Sequence, residues 1–255
     1  MSDEKRKRSG EKSYDGFSID DWTPKTELGK KVKNKEITDI DEILDAGLKI
    51  YESEIIDVLV PELETDLLLL GQAKGKFGGG QRRAFKQTQK KTREGNVMKF
   101  STCAVVGNGN GYVGIGFGSS KETLPAREKS LRNAKLNLIK VVRGSGSWES
   151  DTNQPHSIPF TVEGKCGSVV VKLMPAPKGT GLKTQSEIAK ILKKAGIRDV
   201  WSKTRGQTSS RLNLIKATFE ALKKTMSMHT LLEHEQTIGL HEGRASQAKE
   251  VQGEE

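Results

Sequence analysis

Apolar residues recur at every second position through Val113, Ile115 and Phe117, with Gly114, Gly116 and Gly118 between them. A period of two predicts a strand. Four strand-like runs stand in series, at Thr65–Ala73, Arg83–Lys91, Val97–Val106 and Tyr112–Gly118. TREGN joins the second to the third, and GNGNG joins the third to the fourth. Asn-Gly pairs supply the positive φ that a tight hairpin turn needs. From about Thr123 to Val142 the spacing turns helical, with Pro125 tolerated in the first turn. On a 100° wheel Leu124, Leu131, Ala134, Leu138, Val141 and Val142 share a stripe, and Lys121, Lys129, Arg132, Lys135 and Lys140 lie largely opposite. Arg127 falls on the apolar side and breaks the pattern.

Outside this block the pattern is simpler. TDIDEILDAG (38–47) predicts a short helix started by Thr38 and stopped by Gly47, and ESEIIDVLVPELE a second piece broken at Pro61. RGSGSWESDTNQ (143–154) has linker composition and predicts a domain boundary. Beyond it, SIPFTVEGKCGSVVVKLMPAP predicts two strands around a Gly164–Gly167 turn. TQSEIAKILKKAG predicts a helix with a Thr184–Glu187 capping box and Gly196 as its stop. IRDVWSKT predicts a strand, and Leu212, Ile215, Phe219, Leu222 and Met226 the apolar stripe of a last helix. The order is a β-rich unit with a helix, a linker, then ββαβα. Residues 1–20 read as a disordered basic arm and the chain from about His241 as a polar, mobile tail.

Charge sharpens this picture. The 255 residues carry 43 Lys and Arg against 33 Asp and Glu, a formal charge of +10 with pI about 9.5. From Ile37 to Asp66 ten acids face one base, Lys49; that stretch is −9, leaving +19 for the remainder. Segregation of this kind predicts one stretch turned away from a polyanion and much of the rest turned toward it. With 33% hydrophobic and 5% aromatic residues, the chain is poor in core-formers for a compact enzyme of this length. The longest apolar run, Leu67–Leu70, is far too short to cross a bilayer, and MSDEKRKRSGEK lacks the apolar core of a secretory signal. Cys103 and Cys166 read as two buried thiols of a reducing, cytoplasmic compartment.

Motif by motif, the catalytic inventory is empty. Gly109-Asn-Gly111-Tyr-Val-Gly114 spells G-x-G-x-x-G, but a dinucleotide loop must run straight into a helix, and here a strand follows. KGTGLKT (178–184) misses the phosphate-binding loop because Leu182 stands where the glycine before Lys183 belongs. His156, His229, His234 and His241 show no metal-like spacing with acids or cysteines. We expect no catalytic residue, cofactor or metal. The glycine row itself leaves two readings open, close approach of a helix or close approach of a phosphate backbone.

What remains is basic material. QRRAFKQTQKKTREGNVMK (81–99) carries Arg82, Arg83, Lys86, Lys90, Lys91, Arg93 and Lys99 against one acid, Glu94, on a predicted hairpin. Cations on a rigid protruding hairpin follow phosphates without the entropic cost of ordering a loop. Lys121, Lys129 and Arg132 on the neighbouring helix extend the candidate RNA face, with Asn96, Asn108 and Asn110 as amide donors to sugar or backbone. A sheet plus such a helix suits recognition of duplex RNA by shape.

Three stretches carry a resemblance: REGNVMKFSTCAVVGNGNGYVGIGFGSSKE, CGSVVVKLMPAPKGTG and AGIRDVWSKTRGQT. They resemble the signature segments of the small-subunit ribosomal protein five family in its archaeal and eukaryotic form. ESEIIDVLVPEL and NQPHSIPF also resemble that branch, and the likeness covers roughly residues 20–228. It implies an α+β fold with a double-stranded-RNA-binding-domain-like β-sheet plus helix, then a ββαβα C-terminal domain, with disordered tails. The expected division is arm 1–20, acidic helical extension 21–64, RNA-binding domain 65–143, linker 144–154, C-terminal domain 155–228 and tail 229–255. The resemblance further implies a non-enzymatic constituent of the small ribosomal subunit, not a homo-oligomer, placed in the cytoplasm on the ribosome. It implies binding of ribosomal RNA through the hairpin Lys90–Asn96, contact with the fourth and eighth small-subunit proteins, and a position by the channel through which messenger RNA enters. A role in decoding accuracy and subunit assembly goes with it. The alternative is a free-standing duplex-RNA-binding factor outside the ribosome.

Overall fold

The computed structural model describes residues 22–72, 82–150, 154–227 and 239–243. The predicted basic arm lies outside them. Three short helices come first: α1 Glu27–Lys33, α2 Ile40–Asp45 and α3 Glu54–Leu59. Asp39, not Thr38, precedes α2 as its N-cap residue, and Gly47 turns the chain after it at φ +66. Their apolar residues Trp22, Val32, Ile43, Ile55 and Ile56 form a small core of their own, shared with Tyr112 and Leu138.

The first sheet runs in the order β1 Glu64–Leu68, β3 Gly95–Gly107, β4 Tyr112–Ser120, β5 Leu138–Lys140, with β2 Lys86–Thr92 also on β3. Helix α4, Thr123–Leu136, packs across it. The expected helix to Val142 stops six residues short, because Asn137 caps it and the β-branched stretch that follows pairs as β5 and β6, Val142–Arg143. Leu138, Val141 and Val142 therefore leave the predicted stripe, and Leu124 is exposed. The face of α4 that meets the sheet is Ala126, Ser130 and Ala134, opposite Gly118, Gly116 and Gly114. A Cβ at any of the three glycines would fall well inside contact distance of helix backbone atoms. The glycine row is explained by the helix, and no phosphate backbone reaches that face.

The second sheet has the order β7 Val162–Cys166, β8 Val169–Pro175, β10 Val200–Arg205, β9 Leu182–Lys183, with helices α5 Ser186–Lys194 and α6 Arg211–Thr225 on one side. This is the expected ββαβα order with one two-residue strand added. The hairpin turn lies at Gly167–Ser168; Gly164 sits within β7 and lets Ala217 and Ala221 of α6 close onto it. The cap of α5 is Gln185, whose side chain accepts from the N–H groups of Glu187 and Ile188. Glu187 is instead buried, accepting from Leu69 N–H at 2.8 Å and pairing with Arg211 at 3.3 Å.

One apolar cluster joins Leu68, Cys103, Val105, Val113 and Ile115 of the first sheet to Ile188, Ile191, Leu192, Leu214 and Ile215 of α5 and α6 and to Val171 and Leu173 of β8. The layers are thus α4, first sheet, α5 and α6, second sheet. Cys103 is buried, and burial pushes its thiol well above the usual range; Cys166 is only half-buried. Of the expected polar, mobile tail from about His241, only residues 241–243 fall among the described residues, and they include a strand. β11, His241–Glu242, pairs antiparallel with β6 as a two-stranded sheet and places Glu242 beside Lys140.

Gly116→Ala is expected to cost about 3 kcal/mol, since the backbone of α4 must shift to admit the methyl group. Gly109→Ala, at φ +71 in open space, is expected to cost about 1 kcal/mol. Urea denaturation of the two variants measures both, and equal losses would refute the packing account.

Candidate nucleic-acid interface

β3 has thirteen residues, but β4 accompanies it only from Phe100 onward. Before that point its only partner among the described residues is β2, from Lys86↔Ser101 to Thr92↔Gly95. The result is a two-stranded ribbon standing clear of the sheet, with every residue from Lys86 to Lys99 exposed. Arg93 and Glu94 form its tip, closed by the Thr92 hydroxyl donating to the Gly95 carbonyl at 2.8 Å. A ribbon exposed on both faces buries almost nothing, so its polar composition carries no stability penalty and its cations stay hydrated until a partner arrives.

The pairing register sorts the cations. Lys86, Lys90 and Lys99 share the ribbon face that continues toward α5, whereas Lys91 and Asn96 lie on the face that continues toward α4. Arg82 and Arg83 stand at the ribbon base, where Gly71 N–H donates to the Arg83 carbonyl at 2.7 Å. Lys121 is exposed just past Ser120, whose partner Phe100 marks the same base. Lys129 and Arg132 are exposed farther along α4, which runs back away from the ribbon. Asn108 and Asn110 do not join the group. They lie at the other end of β3, about 40 Å from the tip at roughly 3.3 Å per residue. There the Asn108 side-chain oxygen accepts from Asn110 and Tyr112 N–H at 2.8 and 3.2 Å, and Gly109 N–H donates to the Lys194 carbonyl.

The acidic segment is turned onto the chain's own lysines. Asp57 pairs with Lys135 at 2.5 Å, Glu64 with Lys194, and Asp66 with Lys190 at 3.7 Å. Lys140, expected on an outward face, is 6% exposed and lies 3.3–3.7 Å from Asp41, Asp45 and Glu242. Burial works against its charge, but those carboxylates outweigh burial and hold it above its usual range. Lys194 in turn holds the Glu64 carboxyl below its usual range. Nothing in helical spacing foretold these pairs. Exposed Lys183, Lys203 and Arg205 around Trp201 also lie outside the expected residues; the alternation in VWSKTR is their signal.

Family comparison fits this arrangement. The profile of "Ribosomal protein S5, N-terminal domain" matches residues 71–142, and that of "Ribosomal protein S5, C-terminal domain" matches residues 164–235. The chain belongs to this family. It is 49% identical over 207 residues to small ribosomal subunit protein uS5 of Nanoarchaeum equitans, covering 81% of this chain and 89% of the relative. It is 45% identical over 228 residues to uS5 of Methanocaldococcus jannaschii, covering 89% and 98%. For uS5 of Methanococcus maripaludis the figures are 42% over 244 residues, 96% and 99%. The first S5 profile takes in the ribbon, β4 and α4 but not α1–α3. The acidic extension falls outside both S5 profiles.

Within that extension Glu52 is the anchor. It accepts from the N–H groups of Lys25 and Thr26 at 2.9 and 2.7 Å and from the Trp22 indole at 3.1 Å. Burial opposes its charge, yet these donors, Thr26 and Lys25 foremost, hold it below its ordinary value of 4.5. A lowered folded-state value means stabilisation that is present above pH 4.5 and lost as pH falls below it. With Trp148 and Trp201 replaced by Phe, Trp22 emission should shift to the red as pH falls below 4.5. Glu52→Gln should abolish that acid transition; an identical transition in the variant would remove Glu52 as its cause.

Proposed function

We propose that this chain is a structural, non-enzymatic constituent of the small ribosomal subunit that grips ribosomal RNA with the β2–β3 ribbon. The observation that carries this reading is the ribbon itself, whose cations project on a rigid two-stranded support clear of the body. Lys86, Lys90, Lys91, Arg93 and Lys99 neutralise phosphates, Asn96 donates its amide, and Arg82, Arg83 and Lys121 continue the cationic surface at the base. Lys129 and Arg132 make a separate contact along α4. Asn108 and Asn110 take a lesser part, since the Asn108 oxygen is committed to its own turn. Membership of the S5 family, with relatives named as small ribosomal subunit proteins, supports the ribosomal setting and a cytoplasmic location. From the same kinship we infer contacts with the fourth and eighth small-subunit proteins, a place by the channel that admits messenger RNA, and support of decoding accuracy. The chain acts there as a single copy.

Replacing Lys90, Lys91 and Arg93 together by Ala should reduce the slope of log K against log salt by about 2 to 3, at 0.7–0.9 per phosphate neutralised. Filter binding to a small-subunit ribosomal RNA fragment and to duplex RNA at several salt concentrations measures this, and an unchanged slope removes the ribbon from the account. Sedimentation of a lysate with RNA crosslink mapping tests the setting. Co-migration with the small subunit and crosslinks at residues 82–99 are expected. A slow-sedimenting distribution crosslinked to assorted duplexes would mark a free-standing RNA-binding factor.

A further inference from the structure

The second sheet has two faces of opposite character. Val169, Val171 and Leu173 of β8 and Val200 of β10 are buried toward α5 and α6. The alternate residues lie on the other face and are exposed or half-exposed. The register there sets Lys183 beside Trp201, Trp201 beside Met174, and Lys203 beside Lys172. It also sets Arg205 beside Val170, and Val170 beside Lys165. Among the described residues the one acid that the strands place on this face is Glu163, 3.8 Å from Lys172.

Two features of the face call for a ligand. Lys172 and Lys203 are directly opposed across neighbouring strands, and Glu163 lies beside Lys172 alone, so Lys203 faces a like charge with no carboxylate partner among the described residues. Trp201 leaves 39% of its surface in water in the middle of a sheet, flanked by cations on its own strand and on β9. Same-strand neighbours on one face stand roughly 6.6 Å apart and adjacent strands about 4.8 Å, so Lys183 and Lys203 reach the backbone on either side of a base laid on the indole. A duplex hides the faces of its bases, whereas a single strand offers them for stacking on aromatic rings. The excess of cations favours a polyanion over a protein segment.

We propose that this open face is a second RNA site, specific for a single strand, with Trp201 stacking a base and Lys183, Lys203 and Arg205 holding the adjoining phosphates. The proposal rests on the reading of this chain as an RNA-binding ribosomal protein, and it is separate from the ribbon, which reads no base.

The test uses the full chain with Trp148 replaced by Phe, so that buried Trp22 and Trp201 remain as reporters. Titration with oligouridine of about twelve nucleotides is expected to quench Trp201. By anisotropy of fluorescein-labelled oligouridine, which does not depend on Trp201, Trp201→Ala should weaken binding about tenfold, as loss of one stacked base implies, while Trp201→Phe retains most of it. Lys183→Ala/Lys203→Ala/Arg205→Ala should lower the salt slope by about 2. Circular dichroism confirms that each variant is folded. Equal oligouridine affinity of the parent and both Ala variants overturns the proposal. A loss in only one of the two also overturns it, because the site needs both stacking and charge. So does protection of β8 and β10 in assembled subunits by a neighbouring protein instead of RNA. The ribbon variant is the separate control: its unchanged binding to duplex RNA would sink the functional reading and leave the sheet face untouched.

Discussion

Everything in the first half of the molecule hangs on the approach of the α4 backbone to the backbone of β4. Gly114, Gly116 and Gly118 remove side chains from one face of the strand, and Ala126, Ser130 and Ala134 keep the helix surface nearly bare. Two backbones that close pack with dispersion contacts along their whole length, which a pair of larger side chains would interrupt. The opposite face of the same strands keeps Val113 and Ile115 for the core shared with α5 and α6. β4 is therefore fixed on both faces, and β3 beside it is held firmly enough to extend past the sheet as half of the ribbon. The same device recurs at Gly164, where Ala217 and Ala221 bring α6 onto β7.

Charge follows from this scaffold. The extension that carries the acids folds over β5 and the end of α4, so its carboxylates meet Lys135 and Lys140, while Glu64 and Asp66 of β1 meet Lys194 and Lys190 of α5. The more open of these pairs, such as Asp66–Lys190, add little stability each, but all of them take both signs out of the outward field. What is left over includes the cationic ribbon and the open face of the second sheet, where Glu163 lies beside Lys172 but not beside Lys183, Lys203 or Arg205. Positive charge is thereby left where a polyanion can approach, and five of the ten acids of residues 37–66 are already engaged by lysines.

The order of the longer strands and helices was legible because period-two and period-3.6 patterns, Asn-Gly turns and glycine stops are local signals, whereas α1 and the short strands β5, β6, β9 and β11 were not read. The family was legible for the same reason, since its signature segments are contiguous. The end of α4 was misread: Leu138, Val141 and Val142 continue a helical stripe on paper, yet Asn137 ends the helix and the β-branched residues pair with their neighbours. The stripe of α6 held at Ile215 and Leu222, with Leu212 and Phe219 packed against the core and only Met226 exposed, but the buried face of α4 was misread. A hydrophobic wheel looks for large residues, while α4 docks by Ala126, Ser130 and Ala134, which a hydropathy scale hardly counts. Of the candidate site, the ribbon was visible as a run of bases on two strands, but the separation of Asn108 from Asn96 by the length of β3 was not.

By itself, then, the sequence determined the class of elements, their order, the hairpin, and an excess of positive charge on it. Each of these depends on residues within a few positions of one another. The tertiary structure decided three things that no local window contains. It chose the helix over a phosphate backbone as the neighbour of the glycine row, paired the acidic extension with lysines about eighty to a hundred residues away, and brought β9 beside β10 to surround Trp201 with cations. All three are contacts between segments distant in the chain, and only the packing of whole layers fixes which segments meet.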